Sequence, residues 1–142
     1  MLNFRNQFCH IKVNTASNVL YYTWLEQPDM DELKDCYSKG LEMAVTYHVK
    51  YVIADNSIGI TLDLATQRWV AEVSAFKNGQ THLRKYARVV PVDAFQEMVT
   101  YKIGENYNTI SDSKIQFEVF YSLEMAQEWV LLPESARVKG LN

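Results

Sequence analysis

Apolar residues in the first part of the chain recur at every second position, which is the period of a β-strand with one buried face. Within residues 8–13, Cys9, Ile11 and Val13 alternate with polar side chains. A turn-forming run follows, and residues 19–25 are then apolar on both faces. This pattern predicts a β-hairpin whose second strand is covered on both sides.

The spacing of apolar residues then changes to the period of an amphipathic helix. Asp29 is a good N-cap, and Glu32 three positions later completes a capping-box pair. The apolar stripe behind this cap consists of Leu33, Cys36, Tyr37, Gly40, Leu41, Ala44, Val45 and His48. The sequence therefore predicts a helix whose striped face packs on the sheet.

Strand and helix patterns alternate through the rest of the chain. The pattern predicts strands over residues 49–55, 86–92 and 115–121, helices over residues 62–77 and 93–105, and a last helix capped by Ser122 and ended by Pro133. Such alternation predicts parallel strands joined by right-handed crossovers. The polar residues 134–142 are expected to form a flexible tail.

These elements predict an α/β fold in a single small domain covering residues 1–142. We expect a mostly parallel five-stranded sheet, with an antiparallel N-terminal edge strand and about four helices mainly on one face. The first and last predicted strands each have one polar face and should flank the sheet. If all helices cover one face, the other would expose apolar side chains, a feature typical of a partner or ligand surface.

Composition narrows the classes of function. The chain is 48% hydrophobic, 13% aromatic and 22% charged, which excludes disorder as a description of the whole. A formal net charge of -3 argues against a nucleic-acid-binding protein. The longest basic cluster is His82, Arg84, Lys85 and Arg88, which we interpret as a solvated loop and strand entrance.

Metal and membrane signatures are missing from the sequence. Cys9 and Cys36 have neither metal-ligand nor redox-motif spacing and are interpreted as small core residues. The three histidines are scattered, so we expect no metal site and no cofactor. Neither a signal peptide nor a transmembrane segment is predicted, which favours a cytoplasmic location.

Five segments resemble the SpoIIAA-like branch of the STAS (anti-sigma-factor-antagonist-like) superfamily, whose pattern overlaps with Sec14-type lipid-binding descriptions. They are NVLYYTW, KYVIADNS, LATQRWV, ARVVPVDAFQEM and YSLEMAQEWV, and together they span residues 19–130. The resemblance implies a small α/β domain that binds protein partners, nucleotides or apolar ligands. In STAS antagonists, the serine of an Asp-Ser-Ser-Gly loop is a phosphorylation switch. This chain lacks that motif and has Asn-Ser-Ile-Gly at residues 56–59.

The best candidate site is the polar cluster Asp55, Asn56, Ser57 and Thr61, between a predicted strand and the next helix. One interpretation is an anion or polar-ligand site at a helix N-terminus, with Ser57 or Thr61 as a phosphoacceptor. The other is structural, with an Asx turn at Asp55 and Asn56 and an N-cap at Thr61.

Aromatic residues supply a second candidate. Trp24 and Trp69 could line an apolar ligand site, together with Tyr21, Tyr22, Phe95 and Trp129, or they could be packed core.

The leading functional hypothesis is a noncatalytic binding or regulatory module that acts through a protein partner or as a homodimer. The alternative is a carrier of a small apolar or lipid-like ligand. An enzyme using Asp55 or Ser57 is a third hypothesis, for which the sequence suggests no reaction.

Overall fold

The computed structural model describes residues 2–78, 81–95 and 115–133. These ranges contain six strands and four helices; three strands come first, and helices and strands alternate after them. The strands are β1 (Leu2–Arg5), β2 (Cys9–Asn14), β3 (Val19–Trp24), β4 (Tyr51–Asp55), β5 (Lys85–Val89) and β6 (Gln116–Phe120). The helices are α1 (Met30–Thr46), α2 (Leu64–Asn78), α3, which is described over residues 92–95, and α4 (Leu123–Leu131). The rest of the helix predicted over residues 93–105 and the predicted tail at 134–142 lie outside the described residues.

All six strands form one mixed sheet whose spatial order, β1 to β6, follows the chain. The first three strands pair antiparallel, and β3 to β6 pair parallel. The predicted α/β class and mostly parallel sheet are therefore confirmed, with one strand more than the sequence predicted. Since β1 pairs with β2, the edge position predicted for the strand containing Cys9 is wrong, whereas β6 is the other edge strand among the residues that the structure describes.

Strand β1 extends the alternating pattern of the hairpin. Leu2 pairs with Val13 and Phe4 with Ile11, so these four apolar side chains lie on one face of the sheet. On the opposite face, the polar residues Asn3, Arg5, His10 and Lys12 are neighbours across the same two strands. The N-terminal edge of the sheet is thus apolar on one face and polar on the other.

Helix α1 begins at the predicted cap. Asp29 accepts a hydrogen bond from the backbone N–H of Glu32, and the Glu32 side chain accepts one from the backbone N–H of Asp29. This reciprocal pair satisfies two of the otherwise unpaired N–H groups at the helix start. The residues of α1 that are buried are Leu33, Cys36, Gly40, Met43 and Ala44. We call the side of the sheet that they pack on the α1 face; Ile11, Leu20 and Tyr22 belong to it.

Helix α4 lies on the opposite side, which we call the α4 face. Its Ala126 and Val130 pack against Val19, Ile53 and Val89 of the sheet. A helix that joins two parallel neighbours is confined to one face by the handedness of the crossover, but α4 follows the last strand and has no such constraint. It covers much of the apolar surface that an arrangement with every helix on one face would leave exposed.

No helix among the described residues is both long and apolar enough to cross a bilayer.

Candidate functional site

The segment that follows β4 is an ordered turn. The backbone N–H of Ser57 donates to the Asp55 carboxylate at 2.9 Å, and the Ser57 hydroxyl also hydrogen-bonds that carboxylate. This is the Asx turn expected from the sequence. Ser57 itself is exposed to solvent.

Asn56 fixes the interior of this loop. Its side-chain oxygen accepts from the backbone N–H of Ile60 at 2.8 Å, and its amide nitrogen donates to the Ile60 carbonyl at 3.1 Å. The backbone N–H of Asn56 donates to the carbonyl of Val89, which ties the loop to β5. Gly59 has a φ of 79°, a conformation that glycine adopts without strain. The loop is therefore held in place before any ligand binds.

Thr61 does not cap the next helix, contrary to one of the two interpretations above. Its backbone N–H donates to the side chain of Gln27, which donates in turn to the Thr61 carbonyl. Helix α2 begins at Leu64, and Asp63 accepts the capping hydrogen bond from the Thr66 N–H at 2.7 Å. This bond lowers the pKa of the Asp63 carboxyl. The predicted phosphoacceptors Ser57 and Thr61 thus precede the helix and are not in its first turn.

A cavity of about 110 Å³ lies between the α1 face of the sheet and helices α1 and α2. Leu20, Tyr22 and Trp24 of β3 form part of its floor, with Val52 and Ala54 of β4 beside them. A volume of this order holds several water molecules or an apolar group of roughly benzene size. The cavity is large enough to receive a ligand without rearrangement of the sheet.

The two helices supply the roof of the cavity. Leu33, Gly40 and Ala44 of α1 face it, and Val70 and Ser74 come from α2. The Ser74 hydroxyl hydrogen-bonds the hydroxyl of Tyr37, so these two polar groups satisfy each other. The lining is consequently apolar over most of its extent.

Two polar residues of the lining, Asn56 and Arg88, lie near the loop after β4. Asn56 and Ile60 line the cavity there, and Arg88 of β5 lies on the same face. The Asn56 side chain is already bonded to the Ile60 backbone. Of the described lining residues, Arg88 alone carries a charge, and none is a histidine, cysteine, aspartate or glutamate. The lining therefore combines an apolar body with one cation.

The structure brings together only part of the predicted site. Asn56 and Trp24 line the cavity, whereas Asp55, Ser57 and Thr61 do not. Trp69 packs beside the core, with its ring centroid 5.8 Å from that of Tyr37 and the Lys34 ammonium 5.4 Å above it. Of the remaining aromatic candidates, only Tyr22 lines the cavity. Tyr21 and Trp129 pack on the α4 face, and Phe95 contacts Tyr121.

Lys85 and Arg88 do not lie in the solvated basic cluster that the sequence predicts. Lys85 is 1% exposed, and Arg88 is half-buried. Alternation along β5 was the available signal, because it puts Tyr86 and Arg88 on one face and Lys85, Ala87 and Val89 on the other. The sequence showed the alternation but not which face borders a cavity.

The buried cysteines form a polar cluster with Tyr22 beneath α1. Cys9 and Cys36 are both free thiols with almost no exposed surface. Burial, followed by hydrogen bonding and charge interaction with Cys36, raises the pKa of Cys9 to about 12. Burial also raises the pKa of Tyr22, whose hydroxyl makes no hydrogen bond to nitrogen or oxygen within the described ranges. Cys9 and Tyr22 therefore stay protonated at neutral pH, as expected of core residues.

Two histidines meet at the surface. The Nδ1 atoms of His48 and His82 are 3.3 Å apart, although the sequence suggested scattered positions. In the part of the chain that the structure describes, no three side chains of the types His, Cys, Asp and Glu lie close enough together to hold a metal ion. A pair supplies fewer ligands than a structural zinc site requires.

No related protein was found for this chain. The chain matches no family model, and neither the curated proteins nor the solved structures contain a significant match to it. The resemblance to STAS domains thus stays a prediction from the sequence, and the geometry of the cavity is the basis for a functional proposal.

Proposed function

We propose that this protein is a noncatalytic binding module that holds a small, mainly apolar ligand in the cavity between the sheet and helices α1 and α2. The observation that carries the proposal is the cavity itself, about 110 Å³ in volume and lined mostly by apolar side chains. Protein interiors are close-packed, and apolar side chains around an unfilled space of this size lack packing contacts. A ligand that fills it recovers the lost contacts.

The composition of the lining favours binding over catalysis. None of its described residues is a histidine, cysteine or carboxylate, the groups that most often act as nucleophile or general base. The Ser74 hydroxyl is bonded to Tyr37 and has no adjacent base in that lining. The cavity thus offers shape and apolar surface, which are the requirements of a carrier or sensor.

Filling the cavity tests this proposal. Ala44 of α1 lines the cavity and is 5% exposed, so Ala44→Leu places three more carbon atoms in the space. Ala65→Leu on the exposed side of α2 is the matched control, since it makes the same exchange at a helical position outside the cavity lining. Binding of 3-phenylpropan-1-ol would be measured by calorimetry and by the fluorescence of Trp24 and its neighbours.

We expect the wild-type protein and Ala65→Leu to bind the alcohol and Ala44→Leu to lose at least about ten-fold in affinity, because its cavity is filled. Circular dichroism would establish that each variant is folded. Equal binding by all three proteins, or binding by none, would overturn the proposal. Mass spectrometry of organic extracts from purified protein would identify a resident ligand.

A second function, self-association, is favoured by four exposed apolar side chains. Ile58, Leu64, Val92 and Tyr121 all follow the carboxyl ends of parallel strands and are each about half exposed or more. Because these ends share one edge of the sheet, the side chains lie on one side of the molecule. Light scattering would test whether a second copy covers them. A dimer that Leu64→Ser dissociates supports this function, and a monomer at high micromolar concentration contradicts it.

A further inference from the structure

Arg88 is a cation in an apolar setting. It lies on the interior strand β5, and its neighbours across the sheet are Ala54 of β4 and Val119 of β6. It is half-buried and lines the cavity. Within the described ranges, its guanidinium makes no hydrogen bond and no ion pair.

Lys85 on the same strand shows how this protein satisfies a buried cation. Its ammonium lies on the α4 face and donates to the carbonyls of Trp129 at 3.0 Å and Leu132 at 2.8 Å. Arg88, on the other face, makes no corresponding hydrogen bonds to the described residues. A partly buried guanidinium is costly unless its donors are paired, so an anion in the cavity would gain both charge pairing and hydrogen bonds.

We propose that the ligand of the cavity is an anionic amphiphile, with a carboxylate or phosphate head that pairs with Arg88 and an apolar body between the sheet and α1. The inference rests on the proposed function and adds the class of ligand. The planar fork of a guanidinium matches the two oxygens of such a head group. The apolar body then contacts Leu20, Trp24 and Val52 on the floor of the cavity.

The test compares ligands that share one apolar body and differ in charge. We would measure the affinities of 3-phenylpropanoate, 3-phenylpropyl phosphate, 3-phenylpropan-1-ol and 3-phenylpropylamine for the wild-type protein at pH 7. At least one anion should bind about ten-fold or more tightly than the alcohol, since charge-assisted hydrogen bonds are the strong ones. The amine should bind most weakly. The tighter of the two anions identifies the head group.

Arg88→Met removes the charge while it keeps an unbranched side chain. This variant should bind the alcohol about as well as the wild type does and lose the preference for the anion. Arg68→Met is the control, because Arg68 is exposed on α2 and outside the cavity lining. Arg68→Met should keep the wild-type preference.

The outcomes separate this inference from the proposed function. Equal wild-type affinity for alcohol and anions, or an anion preference that survives in Arg88→Met, overturns the anionic ligand and leaves the binding module standing. Failure of every probe to bind the wild type overturns both. The comparison among wild-type ligands decides the matter even if Arg88→Met does not fold.

Discussion

Lys85 is a single residue that joins two layers of the molecule. Its ammonium donates to carbonyls at the end of α4 and lies 5.2 Å from the ring centroid of Trp129 and 5.8 Å from that of Tyr51. A cation at a helix C-terminus is favoured by the partial negative charge of the last carbonyls. The side chain therefore fastens α4 to the sheet by electrostatics as well as by packing.

Replacement of Lys85 by methionine should weaken that attachment. Lys85→Met keeps much of the buried volume but leaves carbonyls at the end of α4 without this donor. We expect the free energy of unfolding to fall by about 1–3 kcal/mol. Urea unfolding would measure it, and Lys39→Met is a control, because the Lys39–Glu42 pair lies on the surface and should contribute less than about 0.5 kcal/mol. A loss no greater than that of the control would contradict the role of Lys85.

The thiols of Cys9 and Cys36 should be chemically inert in the folded protein. The reactive species is the thiolate, and burial raises the pKa of Cys9 to about 12. Both residues are at most 1% exposed. We expect no modification by a disulfide reagent at pH 8 within minutes and complete modification of both in urea. Rapid labelling under native conditions would show that this region opens.

At the scale of elements, α1 is positioned by a close approach to β3. A Cβ atom built on Gly40 would lie 2.9 Å from Cε2 and 3.0 Å from Cδ2 of the Tyr22 ring. Glycine thus permits the helix to pack directly on an aromatic ring. Since both residues line the cavity, this contact also sets the distance between α1 and the sheet there.

Gly40→Ala should destabilise the protein even though alanine is the better helix former. The helical preference is worth about 1 kcal/mol, whereas overpacking typically costs about 1–3 kcal/mol. We expect a net loss of about 1 kcal/mol in chemical unfolding. Ser38→Ala, at an exposed position of the same helix, should change stability by about 0.5 kcal/mol or less. A Gly40→Ala protein more stable than the wild type would show that the Tyr22 ring shifts readily.

The elements that could be predicted from sequence are those with a local cause. The start of α1 follows from Asp29 and Glu32, whose reciprocal hydrogen bonds involve residues three positions apart. The start of α2 was misplaced because Thr61 and Asp63 are both good caps, and the choice depends on Gln27, which is distant in sequence and occupies the Thr61 backbone. Strand β1 is too short to be predicted from its own residues, because it is defined by its pairing with β2.

The cavity could not be predicted, because it depends on the distance between packed elements and no residue pattern encodes that distance. The sequence did indicate Trp24 and Asn56 as site residues. It gave the wrong environment for Arg88 and Lys85, since alternation along β5 defines two faces but does not say what covers each of them. The neighbours of Arg88 lie on β4 and β6, and the carbonyl acceptors of Lys85 lie at the end of α4.

At the scale of the whole molecule, we expect the free energy of unfolding to depend on pH through His10, which lies beside Lys12 and Arg5 on the polar part of the α4 face. Desolvation, followed by the positive charges of Lys12 and Arg5, lowers the pKa of His10 below 6.5. The unfolded chain therefore binds a proton at His10 more readily than the folded chain does. The stability associated with neutral His10 is present above pH 6.5 and is lost as the pH falls towards and through the folded pKa.

We expect His10→Gln to reduce the loss of stability between pH 7.5 and pH 5. The difference should be roughly a few tenths of a kcal/mol, because solvent screens these partly exposed charges. Urea unfolding at the two pH values would measure it. Lys12→Gln should act in the same direction but more weakly, since burial is the larger cause of the shift. An unchanged pH dependence in His10→Gln would assign the effect to other groups.

The order of the strands bears on how the chain folds during synthesis. Each strand after β1 pairs with the one before it, so the sheet can grow from its N-terminal edge as the chain emerges. Helix α4 is the last of the described helices, and until it docks, Val19, Ile53 and Val89 lack the packing of Ala126 and Val130, and Lys85 lacks its carbonyl acceptors at the end of α4. A nascent chain that ends before residue 123 would therefore lack the cover that α4 gives to apolar side chains of the sheet, and we expect it to aggregate more readily than a chain that includes α4.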